Sequence, residues 1–239
     1  MTWSKARFLI SSIVLVLIVR LTVVMETLPQ VKPEEVGVSS ERLEQLSDFL
    51  QAYVDDGKLP GVVTLISRRG KVAYFEAFGW RDRELASRMQ KDAIYQIASQ
   101  TKAVASVGVM ALQEEGRLLI FDPVGKYLPV FQKTTVAVSK QGGGYDVVKA
   151  DRPITIRDLL THTAGISYGN GVARERWKEA GIQGWYFANR NEPVGATVSR
   201  LASLPFDAQP GDRWVYEYNT DILGALIERV SGEALDEFL

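Results

Sequence analysis

The sequence predicts an α/β fold of the α+β kind, with an antiparallel sheet flanked by helices. Two observations carry this. Two β-branched and aromatic runs, "GVVTLIS" and "KVAYFEAFGW", are separated by "RRG", the signature of an antiparallel hairpin. Apolar residues at helical spacing precede that hairpin and dominate everything after it. The chain shows no repeats and no low-complexity tract, and its 239 residues suffice for one sizeable domain or two small ones.

The elements follow in order. "LPQVKPEEVG" has two prolines and no apolar period, so it reads as a linker into the folded part. From Ser40, a capping residue, Leu43, Leu46, Phe49, Leu50, Tyr53 and Val54 recur at helical spacing until Gly57. The hairpin comes next, and two strands this apolar need further strands beside them. A long helix follows Ser99. Val104, Val107, Val109, Met110 and Leu112 make it apolar on several faces, which predicts a buried helix. "FDPVGKYLP" is turn-rich, and "SKQGGGYD" is a flexible loop by composition. "ITIRDLLTHTAG" reads as a short amphipathic helix stopped at Gly165. Residues 166 to 194 lack a period and are expected to run over the surface or across a cleft. "TVSRLASLP" is helical until Pro205. Ile222, Leu223, Leu226, Ile227 and Val230 mark a helix capped by Gly232, and "EALDEFL" begins another.

Composition excludes several chemistries. With no cysteine, thiol catalysis, disulfides and Cys-ligated metals are out. One histidine, His162, cannot build a multi-histidine metal site, and no carboxylate spacing suggests another, so neither metal nor cofactor is expected. The net charge of −1 gives no reason to expect nucleic acid as a partner.

The first 25 residues stand apart. Lys5 and Arg7 precede the apolar run "FLISSIVLVLIV", which Arg20 interrupts. A basic start before a short apolar run resembles a signal peptide, although no A-x-A-like cleavage site follows. As a membrane span it is short. The expectation is export to the periplasm or membrane attachment through residues 1–30. The alternative is translation from Met25, which makes the stretch upstream sequence and the protein cytoplasmic.

The chemistry centres on Ser99-Gln100-Thr101-Lys102, the only S-x-x-K in the chain. Residues three apart lie on one helix face, so the hydroxyl and the amine can meet. The serine opens an apolar helix, where free N–H groups and the positive dipole end favour developing negative charge. Desolvation of Lys102 favours its neutral amine, which accepts the serine proton. The plainer reading makes Ser99 an N-cap and lets Lys102 snorkel to water, and residue frequencies alone supply about one such match in a chain of this length. A competing motif, "GISYG" around Ser167, has the form of a nucleophile elbow. That motif needs a strand before its serine and a histidine after it. Here a helical segment precedes and no histidine follows, so a helix stop and a turn fit better.

"IYQIASQTKAVASVGVMALQEEGRL", "FDPVGKYLP", "ITIRDLLTHTAGISYG" and "PGDRWVYEYNTDILGALIERVSG" occur in this order. As a set they resemble the serine β-lactamase-related hydrolases, specifically the class C β-lactamase-like esterases (family VIII carboxylesterases). The resemblance runs from about Lys32 to Leu239. It implies a β-lactamase/DD-peptidase-like fold with a helical subdomain, and one domain over residues 31–239. It also implies a serine hydrolase acting on small ester or amide carbonyls through an acyl-serine. Carried onto this chain, it makes Ser99 the nucleophile and an oxyanion-hole donor, Lys102 its proton acceptor and electrostatic partner, and Tyr216 the second element. Glu217 and Tyr218 stand where the family has serine and asparagine, which counts against efficient β-lactam turnover. Tyr218, with Asn219 beside it, is a rival for the second element, although "TDILG" favours Tyr216. His162 matches a structural position. The family's late K-T-G, H-x-G or W-G-G element has no match, "KTT" at Lys133 to Thr135 being too early and lacking the glycine. The expectation is therefore a chain whose C-terminal strands are missing. A carboxylesterase is favoured over a β-lactamase or DD-peptidase, and the alternative is a catalytically incompetent relative that binds a partner.

Overall fold

The computed structural model describes residues 28–184 and 191–239. Most of the predicted anchor or signal segment therefore lies outside the described residues. Among the described residues no helix is long and apolar enough to cross a membrane. The chain divides into two compact units, Met1–Tyr95 and Gln96–Leu239.

In the first unit, helix α1 (Ser40–Asp55) is capped by Ser39, whose hydroxyl accepts the Arg42 N–H at 3.3 Å. It packs on strand β2, where Tyr74 and Ser47 share a 2.8 Å hydroxyl hydrogen bond. Strands β1 (Gly61–Arg68) and β2 (Lys71–Asp82) form the expected antiparallel hairpin. Arg69 (φ 55°) and Gly70 (φ 70°) both take left-handed conformations in the two-residue turn, the pairing that matches strand twist. A two-residue strand β3 (Ser87–Arg88) adds to β2, giving the order β1-β2-β3.

The second unit is built around helix α6 (Asn219–Ser231), which packs against α2 (Thr101–Glu114), α3 (Ile156–Leu160), α5 (Val194–Leu201) and α7 (Leu235–Phe238). Ile222, Leu223, Leu226 and Ile227 are buried, as their spacing predicts, and Gly232 closes the helix at φ 80°. The crossing with α2 is close because Gly108 has no side chain; a Cβ there would lie 3.2 Å from Ile227 Cδ1. Helix α2 is not buried all round. Ala105, Val109 and Leu112 enter the core, whereas Val107 is 68% exposed and Val104 and Met110 are exposed beside it.

Three stretches differ from the sequence reading. The loop read at residues 139–146 is the tip of a hairpin of strands β4 (Thr135–Ser139) and β5 (Tyr145–Lys149), with Gly142, Gly143 and Gly144 all at positive φ, and the two strands are what the sequence reading missed. Val136 and Ala137 anchor β4 to the core, while Val147 and Val148 are exposed, so β5 has no apolar alternation to betray it. Helix α3 ends at Leu160, not Gly165, because His162 adopts a left-handed φ of 56°. The stretch expected on the surface contains helix α4 (Arg174–Glu179), whose Trp177 is fully buried and donates its indole N–H to the Pro205 carbonyl at 3.0 Å. Ile166, Ala173 and Ile182 are buried with it, and their irregular spacing carries no period.

Gly165 is required where it stands. It sits at φ 78°, and a Cβ would fall 2.1 Å from the Ala208 carbonyl oxygen. Its own carbonyl accepts the Asp207 N–H at 2.8 Å, holding together the two loops that reach the site described next.

Candidate active site

Ser99 lies in a single 3-10 turn, Ala98–Gln100, directly ahead of α2. Ala98 holds a left-handed φ of 44°, a conformation that costs an L-residue about 1–2 kcal/mol. Strain of this kind persists only where surrounding structure imposes it. Its effect is to present Ser99 on an exposed corner, one turn before Lys102.

The extended stretch before α6 brings Tyr216 to the same corner. Its Oη donates to Ser99 Oγ at 2.9 Å. Lys102 comes over the Tyr216 ring, with Nζ 4.7 Å from the ring centroid. The three groups therefore meet in the order Ser99, Tyr216, Lys102, and the hydroxyl's direct partner is the phenol. Hydrogen bonding to Lys102, then to Ser99, with the Lys102 charge assisting, holds the Tyr216 phenol below its usual range. Burial and the Glu217 carboxylate oppose that shift.

The aromatic setting fixes the Tyr216 ring. His162 packs 4.9 Å from it and Trp214 5.7 Å, centroid to centroid. The Asn219 amide nitrogen donates to the Val215 carbonyl at 3.1 Å and stands 3.0 Å from His162 Nδ1. An amide N–H aimed at Nδ1 pairs with the tautomer that carries its proton on Nε2. Burial first, and the Lys102 charge second, lower the histidine's pKa and agree with that assignment. His162 supports the tyrosine from behind and does not reach Ser99 by any hydrogen bond.

The rival tyrosine is committed elsewhere. Tyr218 is 2% exposed, donates its hydroxyl to the Gly184 carbonyl at 2.6 Å, and stacks on Trp177 with an interplanar angle of 7°. Burial drives its pKa upward. Ser167 is engaged elsewhere too. It is 3% exposed, and its Oγ accepts the Gly169 N–H at 3.1 Å within a turn. No strand leads into it, so the elbow geometry is absent.

A cavity of about 360 Å³ opens beside Ser99, walled by Lys102, Tyr168, Tyr218, Thr220 and Asp221. The rings of Tyr168 and Tyr218 meet edge to face, 4.7 Å apart. Asp221, in the first turn of α6, is pushed up to about 6 by burial, an effect that its own backbone N–H and the Lys102 charge reduce. Glu217 is pushed up to about 7, by burial above all and also by the Asp207 charge, against a hydrogen bond from the Tyr168 backbone and the pull of Lys102. Its Oε2 is buried and unpartnered. Tyr168 and Asp221 escaped the sequence reading. Tyr168 sits inside "GISYG", where attention falls on the serine, and an acidic residue in a helix's first turn reads as a dipole-favoured position with no further role.

The chain matches known proteins over most of its length. A family model described as Beta-lactamase matches residues 46–239. Protein Rv1367c of Mycobacterium tuberculosis is 33% identical over 194 residues, covering 80% of this chain and 46% of its own length. Esterase EstB of Burkholderia gladioli is 32% identical over 182 residues, covering 74% of this chain and 43% of its own. Among solved structures, EstCE1, a hydrolase with promiscuous acyltransferase activity, superimposes with a TM-score of 0.67 at 29% identity, over 82% of this chain and 49% of that one. The chain thus spans about half the length of the relatives it matches. With a family model covering most of its residues and a β-lactamase/DD-peptidase-like fold, the chain belongs to the β-lactamase family of serine hydrolases and their relatives.

Proposed function

We propose that the protein is a serine hydrolase that cleaves carboxylic esters through an acyl-Ser99 intermediate, with Tyr216 and Lys102 handling the proton. The observation that carries this reading is the 2.9 Å contact between Tyr216 Oη and Ser99 Oγ beneath the Lys102 ammonium. As Ser99 Oγ attacks the ester carbonyl, its proton passes to the Tyr216 oxygen in its phenolate form. Lys102 stabilises that phenolate, so a base is available without a histidine. The Ser99 N–H, ahead of the α2 N-terminus, faces the developing oxyanion and supplies one donor. Tyr216 then returns the proton to the departing alkoxide. Water repeats the sequence on the acyl-enzyme, releasing the acid and regenerating Ser99. Two easier steps replace one difficult hydrolysis.

An esterase is favoured over a β-lactamase or DD-peptidase by position 218. The lactamase form of the motif has an asparagine amide there; this chain has a phenol turned away to the Gly184 carbonyl. The name of EstB points the same way. Labelling with a fluorophosphonate probe tests the proposal: Ser99→Ala abolishes the adduct and Ser167→Ala retains it. An adduct that survives the first change and disappears with the second would sink it.

A further inference from the structure

Tyr216 follows a residue whose backbone is held on both sides. The Val215 N–H donates to the His162 carbonyl at 2.7 Å, and the Val215 carbonyl accepts from the Asn219 side chain at 3.1 Å. The same Asn219 nitrogen stands 3.0 Å from His162 Nδ1, and that imidazole packs on the Tyr216 ring. The phenol is thus fixed twice, through its backbone and through its ring, and Asn219 takes part in both.

A carbonyl oxygen only accepts, so Val215 decides which end of the Asn219 amide faces it. The nitrogen must point there, and its other N–H is what His162 Nδ1 meets. Held this way, the amide matches a neutral ring protonated on Nε2 and opposes a proton on Nδ1. Burial of the ring disfavours a second proton, as does the Lys102 charge acting on it from α2. On its other sides the ring meets the aromatic side chains of Trp214 and Tyr216.

This arrangement is destabilising in itself. Asn219 is fully buried as the first residue of α6, and its Oδ1 has no hydrogen-bond partner among the described residues. A buried acceptor left unpaired weakens a fold. His162 adds a left-handed φ of 56°, a conformation that persists only where its surroundings impose it. A local turn accounts for the Asn219 bond to Val215, four residues back, but not for a contact with a histidine 57 residues away.

Building on the serine hydrolase reading, we infer that Asn219 is a positioning residue for Tyr216. Its amide nitrogen locks His162 in the Nε2-protonated tautomer and pins the Val215 peptide, and the two together hold the phenol on Ser99. Asn219 acts only through these neighbours.

His162 is the chain's one histidine, so isotope-labelled histidine gives NMR signals from a single imidazole. At pH 7 the parent protein shows the Nε2–H tautomer. In Asn219→Leu, close in size and without polar atoms, both tautomers are populated. Its kcat for a 4-nitrophenyl ester falls about 10–100-fold, the scale of a misplaced catalytic group, while KM stays within about twofold. Asn219→Asp sets a carboxylate opposite Nδ1, so the proton moves to that nitrogen and the histidine titrates at higher pH than in the parent. A purely structural asparagine would change stability without moving the tautomer. A parent spectrum showing Nδ1–H or an imidazolium at pH 7 would overturn the assignment; it needs no variant, so it decides the matter even if Asn219→Leu does not fold. Parental kcat in Asn219→Leu would overturn it too, as would a loss of kcat with the tautomer unchanged. In each of these cases Ser99-dependent turnover by the parent leaves the hydrolase reading standing. Absence of Ser99-dependent turnover for every ester would overturn both readings.

Discussion

Tyr216 Oη donates to Ser99 Oγ at 2.9 Å across a sequence separation of 117 residues. The phenol therefore stands between the serine and the lysine, although Ser99 and Lys102 are the pair that sequence spacing joins. In the proposed mechanism this order makes the tyrosine the first proton acceptor and the lysine its electrostatic support. Tyr216→Phe removes one oxygen and keeps the ring against His162 and Trp214. We expect kcat for ester hydrolysis to fall by about 10²–10⁴-fold with little change in KM, the usual contribution of a positioned general base. Thermal melting stays near wild type. A kcat within a few-fold of the parent would remove Tyr216 from the reaction.

Lys102→Met tests the second relationship. Lys102 is the leading cause of the lowered Tyr216 pKa, so without it the phenol titrates at higher pH. The rising limb of kcat/KM against pH, set by formation of the phenolate in the free enzyme, moves upward in the variant. Activity lost at neutral pH is then partly recovered in alkaline buffer. A variant whose remaining activity keeps the wild-type limb would show that some other group sets the profile.

The sequence carried the helices best, because α1, α2 and α6 repeat apolar residues at helical spacing and end near glycines that take left-handed conformations. The hairpin was legible from two apolar runs around "RRG". What failed was local. Strand β5 exposes Val147 and Val148, and α4 is held by one buried tryptophan, so neither has the periodicity that burial normally writes into a chain. At the site, Ser99 and Lys102 were found by spacing, whereas Tyr216 was reached only through family resemblance. The two tyrosines at 216 and 218 are distinguished by long-range facts, one phenol meeting Ser99 and the other the Gly184 carbonyl. No local pattern encodes that difference.

The loop bearing His162 rests on a second charge arrangement. Arg152 grips Asp158 through two hydrogen bonds of 2.6 and 2.8 Å, and Thr155 and Thr163 also donate to that carboxylate. Asp158 itself is only 9% exposed. The Arg152 pairing, with the Thr155 hydrogen bonds, outweighs burial and lowers its pKa to about 2. A depressed carboxylate pKa stabilises the fold above the unfolded-state value and loses that contribution as pH falls toward the folded value. The window is therefore between about pH 4 and pH 2. Asp158→Asn should cost about 2 kcal/mol at pH 7 and close to nothing at pH 2, a figure kept low because Arg152 is partly exposed. Denaturant unfolding at the two pH values checks it, and an equal cost at both would show that the charge is not what matters.

Glu217 supplies the opposite sign. Its carboxyl is pushed up to about 7 by burial, with Asp207 adding to the shift, and its Oε2 has no partner. Between its unfolded value, about 4.5, and about 7 the folded protein binds the proton more tightly than the unfolded chain. Stability consequently falls as pH rises through that window, and the full penalty applies above it. Glu217→Gln removes the ionisation while keeping a carbonyl able to accept the Tyr168 backbone N–H. The variant should be more stable than the parent by about 1–2 kcal/mol at pH 8 and equal to it near pH 4, discounted for the partial exposure of the side chain. Paired unfolding curves at both pH values isolate the effect, because every other carboxyl group is common to parent and variant. A glutamine variant no more stable than the parent at pH 8 would mean that the buried oxygen finds a partner in solution, and that the carboxylate is retained without strain beside the tyrosine.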